Sequence, residues 1–205
     1  FLYHRTSTLL KKEKPHAMKQ EKITHTLAPI YNQASRVLIL GTMPSPQSRK
    51  IGFYYGHPQN RFWRVLAHIF NEKIPETNEE RAQLILRNHL ALWDVLASCT
   101  ITGASDASIV NPAPNDLGQI IAAAPISTVI TTGGKAAQLL KRFYRTARGS
   151  SELEIAGKRV VSYDSASLST SESLAWISLP STSPANAAMS FESLVEAYRV
   201  IREFV

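Results

Sequence analysis

Three short apolar runs punctuate the chain: residues 36–41 (Arg-Val-Leu-Ile-Leu-Gly), 127–132 (Ser-Thr-Val-Ile-Thr-Thr) and 174–179 (Leu-Ala-Trp-Ile-Ser-Leu). Each is too short for a buried helix and is closed by a glycine or a proline, so all three are expected to be strands covered on both faces. Elsewhere the period lengthens. Phe62, Val65, Leu66, Ile69 and Phe70 recur at helical spacing behind Asn60, a residue suited to capping a helix. Further helices are predicted over 78–88, with Glu79 and Glu80 near the positive end, and over 115–124, 135–144 and 191–204. In the last of these Leu194, Val195, Tyr198 and Ile201 share a face.

Residues 90–96 read as a short buried segment and 158–161 as a short strand. Residues 104–114, 149–151 and 162–173 are polar, serine- or proline-rich and expected to be loops. Strands and helices alternate without a repeat. The expected fold is therefore α/β, a three-layer αβα sandwich with a mainly parallel central sheet. Residues 1–22 show no stable period and are expected to form a flexible arm before a single domain over 23–205. Met18 is a candidate start, which intact-mass measurement would decide.

Loops 41–46, 52–60 and 180–186 all follow or hang from the carboxyl ends of predicted parallel strands, where α/β sheets bind ligands, so they should converge. The middle loop leads into the densest stretch of chemistry in the chain. Residues 52–63 run Gly-Phe-Tyr-Tyr-Gly-His-Pro-Gln-Asn-Arg-Phe-Trp. Gly52, Gly56 and Pro58 force bends beside flat rings, while an amide and a guanidinium offer oriented hydrogen bonds and charge. That set suits a nucleobase and its phosphates, or an aromatic patch pinning a loop to the core. Ser45, Ser181, Thr182 and Ser183 suit phosphate oxygens. Arg61 is a candidate for a phosphate or for a carboxylate partner.

Composition narrows the setting. A chain of 205 residues, 44% hydrophobic and 19% charged, fits one globular domain with a sizeable core. The lone Cys99 excludes an internal disulfide framework or a cluster held by several thiolates, and fits a cytoplasmic protein. Neither a membrane span nor a secretory signal is expected. The net charge of +7 and a pI near 9.6 make a polyanionic partner worth considering beside a merely basic soluble protein. Arg5, Lys11, Lys12 and Lys14 against Glu13 supply +3 of it within residues 1–17, leaving +4 for the rest. The Gly133-Gly134 turn is no full dinucleotide or Walker fingerprint, and no metal-ligand cluster stands out.

These motifs resemble the uracil-DNA glycosylase superfamily, and within it the hypoxanthine-DNA (deoxyinosine) glycosylases, over roughly residues 35–205. The resemblance rests on Gly-Thr-Met-Pro-Ser at 41–45, on the aromatic stretch 52–63 and on Leu-Pro-Ser-Thr-Ser-Pro-Ala-Asn at 179–186. Mismatch-specific uracil and thymine glycosylases carry a similar middle motif; the first and last point to the hypoxanthine branch. Most members of the superfamily place a water-activating Asp or Asn where this chain has Met43, and a histidine where it has Leu179. The resemblance implies that Asn60 takes over the catalytic duty and that strong uracil excision is not expected.

It further implies a cofactor-free DNA glycosylase of base excision repair, acting as a monomer on double-stranded DNA that holds a damaged base. Tyr55 would stack on the extruded base, with Phe53 or Tyr54 sharing the role, and backbone amides near Thr42 and Met43 would receive its growing charge. Pro184 and Ala185 would wedge into the gap it leaves. Other readings stay open: Asn60 as a helix cap, His57 as a general acid or a turn residue, Asp106 and Asn115 as groups behind the site or loop caps. The alternatives in function are a uracil or G:U mismatch glycosylase and a non-catalytic lesion-binding module.

Overall fold

The three apolar runs lie side by side at the centre of the molecule. In the computed structural model, which describes residues 20–146, 152–162 and 173–205, they form β2 (Val37–Gly41), β6 (Thr128–Thr132) and β9 (Ser173–Leu179). Every residue of β2 and β6 is buried, as strands covered on both faces must be. Two more strands extend this sheet in parallel, β3 (Leu90–Asp94) beside β2 and β8 (Lys158–Ser162) beside β9. The antiparallel edge strand β7 (Leu153–Ile155) completes the order β3-β2-β6-β9-β8-β7.

Helices cover the sheet and complete the three-layer α/β architecture. α2 (Phe62–Ile69) buries Phe62, Trp63, Val65, Leu66, Ala67 and Ile69 and leaves Arg64 and His68 outside. It packs against α6 (Phe191–Tyr198), whose Leu194, Val195 and Tyr198 are buried. α5 (Gly134–Phe143) lies on β6 and β9, and α3 (Asn78–Arg87) on β3. A capping box, Thr77 with Glu80, fixes the start of α3. Shorter helices are α1 (Pro46–Ile51) and α4 (Gly118–Ala123).

Several elements differ from the sequence expectation. Residues 1–19 of the expected arm lie outside the described residues, but its end does not hang free: β1 (Gln20–Thr24) pairs antiparallel with β4 (Leu96–Thr102) and buries Ile23 opposite Cys99. One apolar residue in five gives no periodic signal. The expected loop 104–114 contains a 3₁₀ turn at Asp106–Ser108 and then β5 (Val110–Pro114), which pairs with β4. Its two prolines are tolerated because β5 is an edge strand of this small second sheet, ordered β1-β4-β5.

β7 escaped the pattern because it is three residues long. It joins β8 through Ala156 and Gly157, whose φ values of 51° and 77° form the left-handed turn that matches strand twist. α1 begins at Pro46, the last residue of the expected loop 41–46, and fills residues to which no element was assigned, because Ser45 caps it and proline suits a first helical position. The final helix tightens to 3₁₀ over Arg199–Glu203. Apart from Ser162 and Ser173, the serine-rich loops at 149–151 and 162–173 lie outside the described residues.

Because Ile23 is only 4% exposed, replacing it with alanine is expected to cost about 2–4 kcal/mol in denaturant unfolding. An unchanged midpoint would show that β1 is the loose arm the sequence suggests.

Candidate active site

Strand register sets the floor of the site. Gly41 of β2 pairs with Asp94 of β3, Leu40 with Thr131, and Thr132 of β6 with Leu179 of β9, so the carboxyl ends of four parallel strands finish nearly level. Above them opens a cavity of about 530 Å³ lined by the first motif, by Tyr54, Tyr55 and Asn60 of the middle motif, and by Ser181, Thr182, Ser183, Ala185 and Asn186 of the last. The three loops converge as expected. Gly41 cannot be replaced without displacement, since a Cβ there would lie 2.3 Å from Asp94 Oδ1 and 3.2 Å from the Tyr55 hydroxyl.

The aromatic stretch divides by role. Tyr55 lines the cavity with its ring stacked on Phe62, centroids 3.7 Å apart and planes 16° from parallel, and its hydroxyl meets Thr132 Oγ1 at 2.9 Å. Thr132 is itself 3.3 Å from the Leu40 carbonyl, so the phenol is fixed to the sheet. Burial raises the Tyr55 pKa well above the ordinary phenol value, Asp94 raises it further, and the bond to Thr132 opposes them. The phenol therefore stays neutral. Tyr55 has φ 50°, in the left-handed region that a tyrosine rarely adopts, and the stacking and hydrogen bond hold it there. Tyr54 also lines the cavity, but its hydroxyl donates away from it, to the Ala28 carbonyl at 2.9 Å.

Phe53, expected beside the base, lies outside the cavity wall and packs on Tyr54 and Trp63. Its ring is held instead edge-on to Tyr54 and tilted against Trp63, with centroids 6.1 and 5.9 Å apart. His57 is exposed, and its Nδ1 accepts from the Gln59 amide at 3.2 Å, which makes it a turn residue.

Asn60 sits in the cavity wall with its Oδ1 accepting two hydrogen bonds, from the Phe62 amide at 3.0 Å and from the Thr182 hydroxyl at 2.9 Å. It thus serves the helix start as well as the wall. Thr182, expected at a phosphate, is 1% exposed and belongs instead to this link between the middle and last motifs. Arg61 is likewise turned inward. Its guanidinium donates to the carbonyls of Thr182 at 3.3 Å, Ser183 at 2.8 Å, Asn186 at 2.9 Å and Met189. The residue is partly exposed and meets no carboxylate among the described residues, and four carbonyls of one curved loop match its fork of donors.

The small hydroxyls are partly engaged in local turns. Ser45 Oγ accepts from the Ser48 amide, Ser181 Oγ from the Ser183 amide and Ser183 Oγ from the Ala185 amide, at 3.1–3.2 Å. Pro184 and Ala185 are exposed at the tip of the last loop, and Ala185 borders the cavity.

Among the described residues no lysine or arginine lines the cavity, and its charged groups are Asp94 and Asp106. Asp106 Oδ2 accepts from the Thr42 hydroxyl at 3.0 Å. Although the residue reaches the surface, its carboxyl faces inward. Desolvation raises its pKa above the ordinary carboxylate range, the Thr42 bond opposes this, and Asp94 adds to it. Asn115 stands behind the site, donating to the carbonyls of Asp94 and Leu96 at 3.0 Å each. Asp94 is 4% exposed, and its Oδ2 lies 2.9 Å from His25 Nε2.

Sequence reasoning missed Asp94, His25 and Thr132. The available signal for Asp94 was a carboxylate inside the run Leu-Ala-Leu-Trp-Asp-Val-Leu over 90–96. His25 carried no signal, because only the pairing of β1 with β4 brings it to β3.

The sequence pattern of the Uracil DNA glycosylase superfamily matches residues 28–202, and the chain belongs to that superfamily, a class of DNA glycosylases. Two similar proteins are hypoxanthine DNA glycosylases of Methanosarcina species. That of Methanosarcina barkeri is 32% identical over 108 residues, 52% of this chain and 68% of that one. That of Methanosarcina acetivorans is 29% identical over 109 residues, 53% of this chain and 69% of that one. The fold is also that of a solution NMR structure from Methanosarcina acetivorans, provisionally called a uracil DNA glycosylase, with TM-score 0.64 and 24% identity over 88% of this chain and 97% of that one. Among the described residues no helix is long and apolar enough to cross a membrane, and no group of three or more His, Cys, Asp or Glu is placed to hold a metal ion.

Replacing Arg61 with alanine is expected to lower stability by about 1–3 kcal/mol and to speed amide exchange across residues 183–189. A variant with unchanged exchange and a weaker salt dependence of DNA binding would return Arg61 to a phosphate contact.

Proposed function

We propose that this chain is a monofunctional DNA glycosylase that hydrolyses the N-glycosidic bond of an extruded deaminated base, hypoxanthine above all. The observation that carries the reading is the charge of the cavity. Among the described residues its lining holds two carboxylates and no lysine or arginine, so it suits a base and a sugar better than phosphates. A free-nucleotide site would need the reverse. The names of the two Methanosarcina relatives support hypoxanthine as the base.

The base enters against the Tyr55 face opposite Phe62, where stacking is worth roughly 1–3 kcal/mol. As the glycosidic bond breaks, positive charge grows on the sugar and negative charge on the base. Asp94 and Asp106 favour the first. The Thr42 and Met43 amides, which donate to no backbone carbonyl among the described residues, are available for the second.

Asn60 positions the attacking water. Of the two bonds on its Oδ1, the one from the Phe62 amide is fixed by the backbone, whereas the Thr182 hydroxyl can rotate and yield its place to the water. An amide is too weak a base to take the proton, so its contribution is placement. Exposed Pro184 and Ala185 lie at the loop tip suited to filling the gap in the duplex.

Replacing Asn60 with alanine is expected to lower single-turnover excision of inosine by about a hundredfold or more. The lost hydrogen bond at the helix start costs about 1 kcal/mol, a fall of a few degrees in Tm. Unchanged excision in this variant would remove Asn60 from the mechanism. Duplexes carrying inosine, uracil or xanthine, compared side by side with wild-type protein, are expected to rank inosine first; uracil in that place would favour the mismatch-glycosylase alternative.

A further inference from the structure

A purine leaves its sugar with the electron pair of the glycosidic bond. Backbone amides can share the resulting charge, but only a cation or a proton cancels it. Among the described residues the cavity lining holds no lysine, arginine or histidine, so the task falls to a proton donor. The hydroxyls are unsuited. Tyr55 is bonded to Thr132 and Tyr54 to the Ala28 carbonyl, burial raises the pKa of both phenols, and serine and threonine are weaker acids still. Two carboxyls remain. Asp94 is paired with His25 at 2.9 Å, whereas Asp106 has no ion-pair partner among the described residues.

We infer that Asp106 is a general acid that protonates N7 of the departing purine. The inference rests on the cavity being a site for hypoxanthine. In deoxyinosine N9 carries the sugar and N1 a hydrogen, while N7 keeps a basic lone pair in the same five-membered ring as N9. A proton placed there draws the N9 electrons out of the glycosidic bond. As C1′–N9 breaks, its electron pair passes to the base, which leaves as neutral hypoxanthine. The water held by Asn60 adds its oxygen to C1′, and the proton it loses returns to the Asp106 carboxylate. Between these events that carboxylate is the anion that favours the electron-poor sugar, so one group serves both charges.

The local geometry suits an acid. Thr42 donates to Oδ2 at 3.0 Å, which leaves Oδ1, without a hydrogen bond from the described residues, as the oxygen to carry the proton. Thr42 belongs to the loop whose amides are available to the base, so acid and amides stand together. The turn that carries Asp106 is braced: Ser108 Oγ accepts from the Thr102 amide at 2.8 Å and donates to the Ser105 carbonyl at 2.7 Å. The groups that bear on Asp106 or feel its charge are Asp94 on β3, Lys135 on α5, Tyr55 of the middle motif and Cys99 on β4. Burial raises the Asp106 pKa, the Thr42 bond opposes this, Asp94 adds to it and Lys135 opposes it, so a protonated fraction persists above the ordinary carboxylate range.

The test is the pH profile of single-turnover excision from an inosine duplex by saturating wild-type protein, over roughly pH 5 to 9. The rate is expected to be greatest at low pH and to fall about tenfold per pH unit above the pKa of Asp106, because only the protonated acid acts. A rate independent of pH overturns the inference and leaves the hydrolase reading intact. Absence of inosine excision at every pH overturns both.

Asp106→Asn, whose amide oxygen can still accept from Thr42, is expected to be about a hundredfold or more slower at the wild-type optimum and to lose the bend in the profile. A variant within about threefold of wild type, or one that bends at the same pH, overturns the inference. A duplex with 7-deaza-2′-deoxyinosine, in which a C–H replaces N7 and the shape is retained, tests the acceptor without altering the protein. Wild-type excision of this analogue is expected to be about a hundredfold or more slower than of inosine. Equal rates on the two duplexes overturn the assignment of Asp106 to N7.

Discussion

The site depends first on the Arg61 guanidinium. Its fork of donors gathers four backbone carbonyls of the last loop, and the Arg61 amide adds a fifth contact, to the Thr182 carbonyl at 3.1 Å. Those bonds bring Thr182 onto Asn60, although the two lie 122 residues apart in sequence. Tyr198 of α6 supports the same loop by donating to the Pro180 carbonyl at 2.8 Å. A loop of proline, serine and alanine has little apolar surface with which to hold itself in place. The cation supplies that hold. Since α2 starts at the next residue, the clamp also ties the loop to the helix that buries Phe62 and Trp63.

A second constraint is close packing at the end of β2. Gly41, Asp94 Oδ1 and the Tyr55 hydroxyl crowd a space with no room for a single added carbon. The crowding lets a carboxylate and a stacked ring share the cavity floor. Tyr55 holds a backbone conformation unfavourable for its residue type, with Phe62 beneath its ring and Thr132 at its hydroxyl. Strain of this kind persists where surrounding contacts over-determine it. The result is a cavity whose charged lining residues, among those described, are carboxylates, in a chain of net charge +7.

How much of this was legible depended on whether an element carries its own pattern. The apolar runs of β2, β6 and β9 and the amphipathic face of α2 announce themselves, because burial on both faces or on one stripe dictates composition. The prolines and glycines of the three loops likewise marked where ligand chemistry would converge. What the chain could not announce is long-range pairing. β1 has one buried residue and acquires meaning only against β4, so His25 and its bond to Asp94 were invisible. Arg61 and Thr182 show the complementary limit. Residue type alone suggests a phosphate for Thr182 and a phosphate or a carboxylate for Arg61, while the fold surrounds them with backbone carbonyls and an amide. Asn60 precedes the cap position of α2, which Arg61 occupies, yet its Oδ1 accepts from the Phe62 amide in the first turn while the residue lines the cavity.

The central claim is that an enzyme with this cavity breaks a glycosidic bond by placing water rather than by covalent chemistry. The most direct measurement incubates the wild-type protein in excess over a duplex with one inosine and quantifies both products. The account predicts free hypoxanthine in one-to-one amount with alkali-labile sites, with the strand intact until alkali is added. Tight, salt-sensitive binding of the duplex without release of the base would contradict it, and would leave the cavity as a lesion-recognition pocket.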